Sequence, residues 1–102
     1  MRKIETAGVV GLGALGTLYA HMLTGALGRD RAFVLADAGR ARRYQKDGVY
    51  YNGELQDFRY AVPEEPVDLL LVAVKFGALE DAAALCRPAV GPETTIVSVL
   101  NG

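Results

Sequence analysis

The chain has 102 residues, of which 51% are hydrophobic and 23% are charged, a composition ordinary for one globular domain. Its formal net charge is −1, with acids and bases mixed along the sequence. Binding a nucleic-acid backbone needs a basic face of one sign, and the nearest candidate, from Arg40 to Lys46, is short. We therefore expect no nucleic-acid partner, and no membrane span either, since no apolar run reaches about 18 residues.

Cys86 is the one cysteine of the sequence, so these residues cannot form an internal disulfide and show no spacing typical of a metal site. We expect it to be a buried, unreactive thiol in a helix. The apolar segment after Arg2 and Lys3 is interrupted by Glu5, Thr6 and several glycines, which does not fit a signal peptide. These features favour a cytoplasmic location.

The first quarter of the chain predicts a strand, a helix and a second strand. Residues 4–10 end in β-branched side chains and favour a short strand. From Ala14 onward, apolar residues recur at steps of three and four, which predicts a helix that ends near Gly28. Residues 32–36 then have the composition of a buried strand.

The middle of the chain predicts a short polar helix and then a hairpin. The helix is expected from Arg40 to Lys46, with Gly48 as its end. Within residues 49–62, Asn52-Gly53 stands between aromatic and apolar residues, and this dipeptide favours a two-residue hairpin turn.

The last third predicts strand, helix and strand. Residues 69–74 form an unbroken apolar run typical of a strand covered on both faces, residues 77–87 favour a helix, and residues 94–100 favour a final strand. Strands separated by helix-length connections indicate an α/β fold. We therefore predict one dinucleotide-binding domain over residues 1–102, a Rossmann-type doubly wound parallel sheet with a β-hairpin insertion.

The run Gly11-Leu12-Gly13-Ala14-Leu15-Gly16 joins the first strand to the first helix and has the spacing G-x-G-x-x-G. In such a loop the first glycine permits the tight turn, the second lets the backbone approach a pyrophosphate, and the third lets helix and strand pack closely. The helix start offers unpaired N–H groups to the phosphates. The run predicts a dinucleotide site, with a tight turn and a packing glycine as the alternative.

The end of the second strand bears on which dinucleotide is bound. Asp37 lies 21 residues after Gly16, where a carboxylate accepts hydrogen bonds from the ribose hydroxyls of NAD. Arg40, Arg42 and Arg43 follow closely, and a guanidinium there would hold the 2′-phosphate of NADP. The two signals conflict, so the residues leave NAD and NADP open.

With VAVKFGAL at residues 72–79 and VLNG at residues 99–102, the chain resembles the amino-terminal half of the ketopantoate reductases, the 2-dehydropantoate 2-reductase family. The matching features are the glycine loop, Lys75 closing a parallel strand, and Asn101-Gly102 closing the next. The resemblance implies NADPH-dependent reduction of ketopantoate to pantoate, a step toward pantothenate and coenzyme A.

Site roles follow from the resemblance. The glycine loop would hold the pyrophosphate, Lys75 would lie beside the cofactor near the substrate, and Asn101 would contact the nicotinamide-side ribose and the substrate. Lys75 and Asn101 are also each expected to follow a parallel strand, at the sheet edge where open α/β sheets bind ligands. A charge directly after an apolar strand is costly without an anionic neighbour, which supports the role given to Lys75.

Two positions depart from the family. Asp37 stands where members often have an arginine, so contact with a 2′-phosphate would pass to Arg40 or Arg43. Ala78 stands where some members have a glutamine. Both departures bear on the NADP assignment more than on the family.

The resemblance places the catalytic lysine and a substrate-binding glutamate in a helical second domain, beyond these 102 residues. We therefore expect no catalytic residue within this chain, a small 2-keto acid as substrate of the whole enzyme, and self-association such as a homodimer through surface that the second domain would cover. The alternative is a stand-alone NAD(P)-binding module that regulates or senses redox state without catalysis.

Overall fold

The computed structural model describes residues 3–99, so the predicted site residue Asn101 lies outside the described part of the chain. Within these residues the chain alternates strands and helices in the following order: β1 (Ala7–Val10), α1 (Ala14–Leu27), β2 (Ala32–Leu35), α2 (Ala38–Asp47), β3 (Tyr50–Tyr51), β4 (Glu54–Leu55), β5 (Arg59–Ala61), β6 (Leu69–Val72), α3 (Leu79–Cys86) and β7 (Thr95–Ser98).

Five of these strands form one parallel sheet in the spatial order β5-β2-β1-β6-β7. The central strand β1 pairs with β2 on one side and β6 on the other, so that Val10 is level with both Leu35 and Val72. The chain first builds the sheet outward through β2 and β5, and then crosses back over β1 to add β6 and β7. This is the predicted doubly wound α/β fold, and the prediction is confirmed.

The two faces of the sheet carry separate apolar clusters because successive strand residues point to opposite sides. On one face α1 and α2 cover a cluster that includes Val9, Val34 and Leu71. On the other face α3 covers Val10, Leu35, Leu70 and Val72. The strands are apolar on both sides because both faces are covered, as is usual for parallel sheets.

The hairpin prediction is correct at its turn and wrong in its extent. Asn52 and Gly53 have φ values of 51° and 79°, as a two-residue hairpin turn requires, but the hairpin ends with β4 at Leu55. The second half of the predicted insertion contains β5, which joins the main sheet parallel to β2, with Tyr60 level with Val34. Edge pairing with β2 supplies the hydrogen bonds that a longer hairpin would have supplied.

Several element ends differ from the predicted ones. Helix α2 begins at Ala38, before the predicted Arg40, because Asp37 caps it. A 3-10 turn over Phe76–Ala78 precedes α3, and a second, Arg87–Ala89, follows it. Strand β6 ends at Val72, before the predicted end at residue 74, and Ala73 and Val74 lie against Gly11 of the glycine loop. No helix in residues 3–99 is long and apolar enough to cross a membrane.

The core predicts a large stability difference between two leucines. Leu70 in β6 is 2% exposed, whereas Leu55 in β4 is 63% exposed. We expect Leu70→Ala to lower the free energy of unfolding by about 2–5 kcal/mol, because the truncation leaves a cavity between the sheet and α3. We expect Leu55→Ala to change it by about 0.5 kcal/mol or less. Urea unfolding followed by circular dichroism measures both, and equal effects would contradict the assigned core.

Candidate dinucleotide-binding site

Gly11 follows β1 directly and fixes how the loop leaves the sheet. Its φ is +94°, a value that residues with a side chain rarely adopt. A Cβ at this position would run into the backbone carbonyl of Ala73 and would lie 2.9 Å from Cγ1 of Val74. The backbones after β1 and β6 therefore touch at Gly11, and the turn requires glycine there.

Gly16 lies in the first turn of α1 and brings the helix onto the same loop. A Cβ at Gly16 would overlap the carbonyl oxygen of Gly11 and would lie 3.4 Å from Cβ of Ala73. The hydroxyl of Thr17 also donates to the carbonyl of Leu12, with an oxygen–oxygen distance of 3.4 Å. The start of α1 is thus held against the ends of β1 and β6, at the carboxyl edge of the sheet.

Gly13, the N-cap of α1, differs from the other two glycines. Its φ of −73° is open to any residue, and a Cβ built there meets no heavy atom within 4 Å. No side chain caps the helix, and its first turn contains no acidic residue. The first N–H groups of α1 therefore have no side-chain cap, and the positive end of the helix dipole lies beside the open space at Gly13. Packing explains glycine at 11 and 16, but it does not explain glycine at 13.

A cleft of about 320 Å³ lies beside this loop, at the carboxyl ends of β1 and β2. Gly11, Leu35 and Val74 contribute to its lining, Asp37 and Arg40 line it from the start of α2, and Ala78 and Asp81 line it from the start of α3. The connections from β1 and β6 lead to opposite faces of the sheet here, so the cleft lies at the topological switch point. Open α/β sheets bind ligands at that place.

Asp37 has a structural role that the sequence interpretation missed. Its Oδ1 accepts a hydrogen bond from the backbone N–H of Arg40 at 2.8 Å, so Asp37 is the N-cap of α2. The signal was present in the sequence, because aspartate is among the preferred N-cap residues. The predicted contact with ribose remains compatible with this position, since Asp37 lines the cleft. Arg40 lines it too, whereas Arg42 and Arg43 are not among the lining residues.

Lys75 lies on the same edge of the sheet. It follows Ala73 and Val74, which contact the glycine loop, and its carbonyl accepts the N–H of Ala78 at 2.9 Å in the next 3-10 turn. The Lys75 side chain is exposed and forms no ion pair or hydrogen bond with another residue in the range 3–99. Because Asn101 lies outside that range, its predicted contact with the ribose and the substrate stays a prediction.

Cys86 and His21 take no part in this cleft. Cys86, the last residue of α3, is 2% exposed in the core, and its burial raises the pKa of the thiol above its ordinary value. His21 is exposed on α1, where its Nδ1 lies 2.8 Å from Oε1 of Gln56 and its ring stacks on Tyr51 at 4.7 Å. It therefore fastens the hairpin to the helix. Among the described side chains, no group of three or more potential ligands could hold a metal ion.

The geometry of the glycine loop predicts a large loss of stability for one alanine substitution and a small loss for another. We expect Gly11→Ala to lower the free energy of unfolding by about 2 kcal/mol or more, because the new Cβ meets backbone at a positive φ. We expect Gly13→Ala to cost less than about 1 kcal/mol, since its Cβ points into open space. Urea unfolding of both variants measures the difference. A Gly13→Ala variant as unstable as Gly11→Ala would contradict the assigned geometry.

The raised pKa of Cys86 predicts slow thiol chemistry in the folded protein. At pH 8 we expect a disulfide reagent to label Cys86 about 100-fold more slowly in buffer than in urea. Burial keeps the reagent away from the sulfur and disfavours the thiolate, which is the reactive form. The protonated thiol is favoured in the folded state, so its contribution to stability is complete below the pKa of the unfolded thiol and is lost as the pH rises through the higher folded pKa. Rapid labelling in buffer would contradict the burial.

Residues 7–102 match the family described as ketopantoate reductase PanE/ApbA. Similar solved structures are a putative ketopantoate reductase from Ralstonia solanacearum MolK2 (28% identity, TM-score 0.75, covering 98% of this chain and 33% of that one) and two 2-dehydropantoate 2-reductases. The one from Geobacter metallireducens GS-15 has 28% identity and a TM-score of 0.64, covering 95% of this chain and 34% of that one. The one from Porphyromonas gingivalis W83 has 26% identity and a TM-score of 0.70, covering 98% of this chain and 39% of that one. The chain thus spans only 33% to 39% of the length of these three structures. Because the family match covers nearly all of its residues, the chain belongs to the ketopantoate reductase family.

Proposed function

We propose that this chain is the cofactor-binding part of a 2-dehydropantoate 2-reductase, an enzyme that reduces ketopantoate to pantoate with a nicotinamide dinucleotide. The observation that carries the proposal is the contrast among the three glycines. Gly11 and Gly16 are required by backbone contacts, whereas Gly13 keeps open the space in front of α1. A glycine that no internal contact requires supports close approach of a ligand to the backbone.

In the proposed complex the pyrophosphate lies at the start of α1. The backbone of Leu12, Ala14 and Leu15 flanks Gly13 there, and helix N–H groups donate to phosphate oxygens with the helix dipole favouring their negative charge. The adenosine occupies the adjoining cleft between the starts of α2 and α3. Its volume of about 320 Å³ and its apolar side chains, including Ala78 and Ala82, fit a planar base.

The nicotinamide end is proposed to lie toward Lys75 and Asn101. When bound, the nicotinamide supplies the hydride that reduces the ketone. The Lys75 ammonium is exposed at this edge, and no carboxylate in residues 3–99 pairs with it, so it is available to attract the carboxylate of a 2-keto acid. Asn101 is proposed to contact the ribose and the substrate, as the resemblance implies.

Catalysis needs a group that protonates the developing alkoxide. The family resemblance places a lysine for this purpose, together with a substrate-binding glutamate, in a helical second domain. We therefore propose that the 102-residue chain binds the dinucleotide and does not turn over substrate by itself. The NADPH dependence implied by the resemblance, the cytoplasmic location and the homodimer stay predictions, as does the alternative of a regulatory module.

Calorimetric titration of the purified chain with NADH and NADPH tests the proposal. We expect at least one of them to bind, and we expect Gly13→Val to weaken that binding by about 100-fold or more, because the valine side chain fills the space of the pyrophosphate. Gly25→Val is the matched control, since Gly25 also has nothing within 4 Å of its Cβ position but lies near the other end of α1. Circular dichroism checks that both variants are folded.

Absence of binding by either dinucleotide at millimolar concentration would overturn the proposal. Equal loss of affinity in the two valine variants would overturn the pyrophosphate position, because only one of them lies beside the glycine loop.

A further inference from the structure

We infer that this cleft selects NADH over NADPH, because the start of α2 is already occupied by the carboxylate of Asp37. The inference rests on the proposed function and adds to it the identity of the cofactor. The family resemblance alone implies NADPH, and the residues alone leave the choice open. The position of the Asp37 side chain and the charges around the cleft decide between them.

Asp37 stands where the second strand meets the cleft. The N–H of Ala36, the residue after β2, still bonds to the carbonyl of Ala61 in β5 at 3.1 Å, and Asp37 follows directly. One carboxylate oxygen, Oδ1, binds the N–H of Arg40 at 2.8 Å and is thereby fixed in orientation. A carboxylate so held can also accept hydrogen bonds from the 2′- and 3′-hydroxyls of an adenosine ribose, which NADH offers.

A 2′-phosphate would meet the same carboxylate with the wrong charge. A phosphate monoester carries about −1.5 to −2 charges at pH 7 and needs donors around it. The start of a helix is an anion site when its N–H groups are unpaired, but here an internal anion occupies the N–H of Arg40. The phosphate of NADPH would have to displace Asp37 from its cap or remain beside it, and either arrangement is unfavourable.

A second carboxylate lines the cleft. Asp81, in the first turn of α3, borders it as Asp37 does, and Arg40 is the one cation among the lining residues. The lining of the cleft therefore carries two negative charges and one positive charge. This balance repels a phosphate dianion, whereas a neutral hydroxyl is not repelled and can donate a hydrogen bond to a carboxylate.

Arg40 is the residue that would oppose this preference. Its guanidinium forms no ion pair with another residue of the described chain, so it is free to meet a ligand. A guanidinium also stacks on planar rings, and that contact is available to the adenine of NADH and NADPH alike. We assign Arg40 to the base and Asp37 to the ribose, so that Asp37 determines the preference.

Competitive calorimetry with both dinucleotides on the 102-residue chain tests the inference. We expect NADH to bind about tenfold or more tightly than NADPH. Asp37→Ser keeps a side-chain cap for α2 and removes the charge, and we expect it to shift the ratio of the two dissociation constants about tenfold or more toward NADPH. Asp81→Asn is expected to shift the ratio in the same direction by a smaller factor.

Arg40→Ala serves as the opposing variant. We expect it to weaken both dinucleotides and to keep the preference for NADH. A wild-type chain that prefers NADPH and loses that preference in Arg40→Ala would overturn the inference. An Asp37→Ser variant that is folded but has an unchanged ratio would also overturn it, because Asp37 would then act only as a cap. Failure to bind either dinucleotide is a different result, which overturns the proposed function itself.

Discussion

The contact between Gly11 and the backbone of Ala73 is the constraint on which the carboxyl edge of the sheet depends. It joins the ends of β1 and β6, which are neighbours in the sheet but are separated by most of the chain. Because Gly16 packs against Gly11, the same contact also sets where α1 begins. The cleft lies beside this junction, with Gly11 and Val74 in its lining. A side chain at Gly11 would therefore disturb strand, helix and cleft together.

Helices α1 and α2 both begin at this edge of the sheet, as α3 does, and the first turns of α1 and α2 are capped in different ways. Helix α1 starts at a glycine that offers no side chain, whereas α2 starts at an aspartate whose carboxylate bonds to its own helix. Helix starts carry partial positive charge, so the uncapped one is open to an external anion and the capped one is not. The pair thus distinguishes a position suited to phosphate from a position suited to hydroxyl groups.

Most of the sheet could be predicted from the sequence, and so could the cleft residues Gly11, Asp37 and Arg40. The change of period after Val10 and the glycine spacing are local signals, and they located α1 and the turn before it. Strand β5 was missed because the strong Asn52-Gly53 turn signal extended the hairpin interpretation over it, while its partner β2 lies far back in the sequence. The place of Asp81 in the same cleft as Asp37 depends on how α3 packs on the sheet, which no local pattern records.

The β3–β4 hairpin stands apart from the sheet that carries the site. Its two strands pair only with each other among the described elements, and His21 attaches it to α1 by stacking on Tyr51 and bonding to Gln56. Its tip, Asn52-Gly53, is exposed and has open space around Gly53. Exposed loop tips of this kind accept foreign segments with little effect on the fold. The hairpin tip is consequently a natural point for attaching a fluorophore or an affinity tag that reports on the protein without touching its cleft.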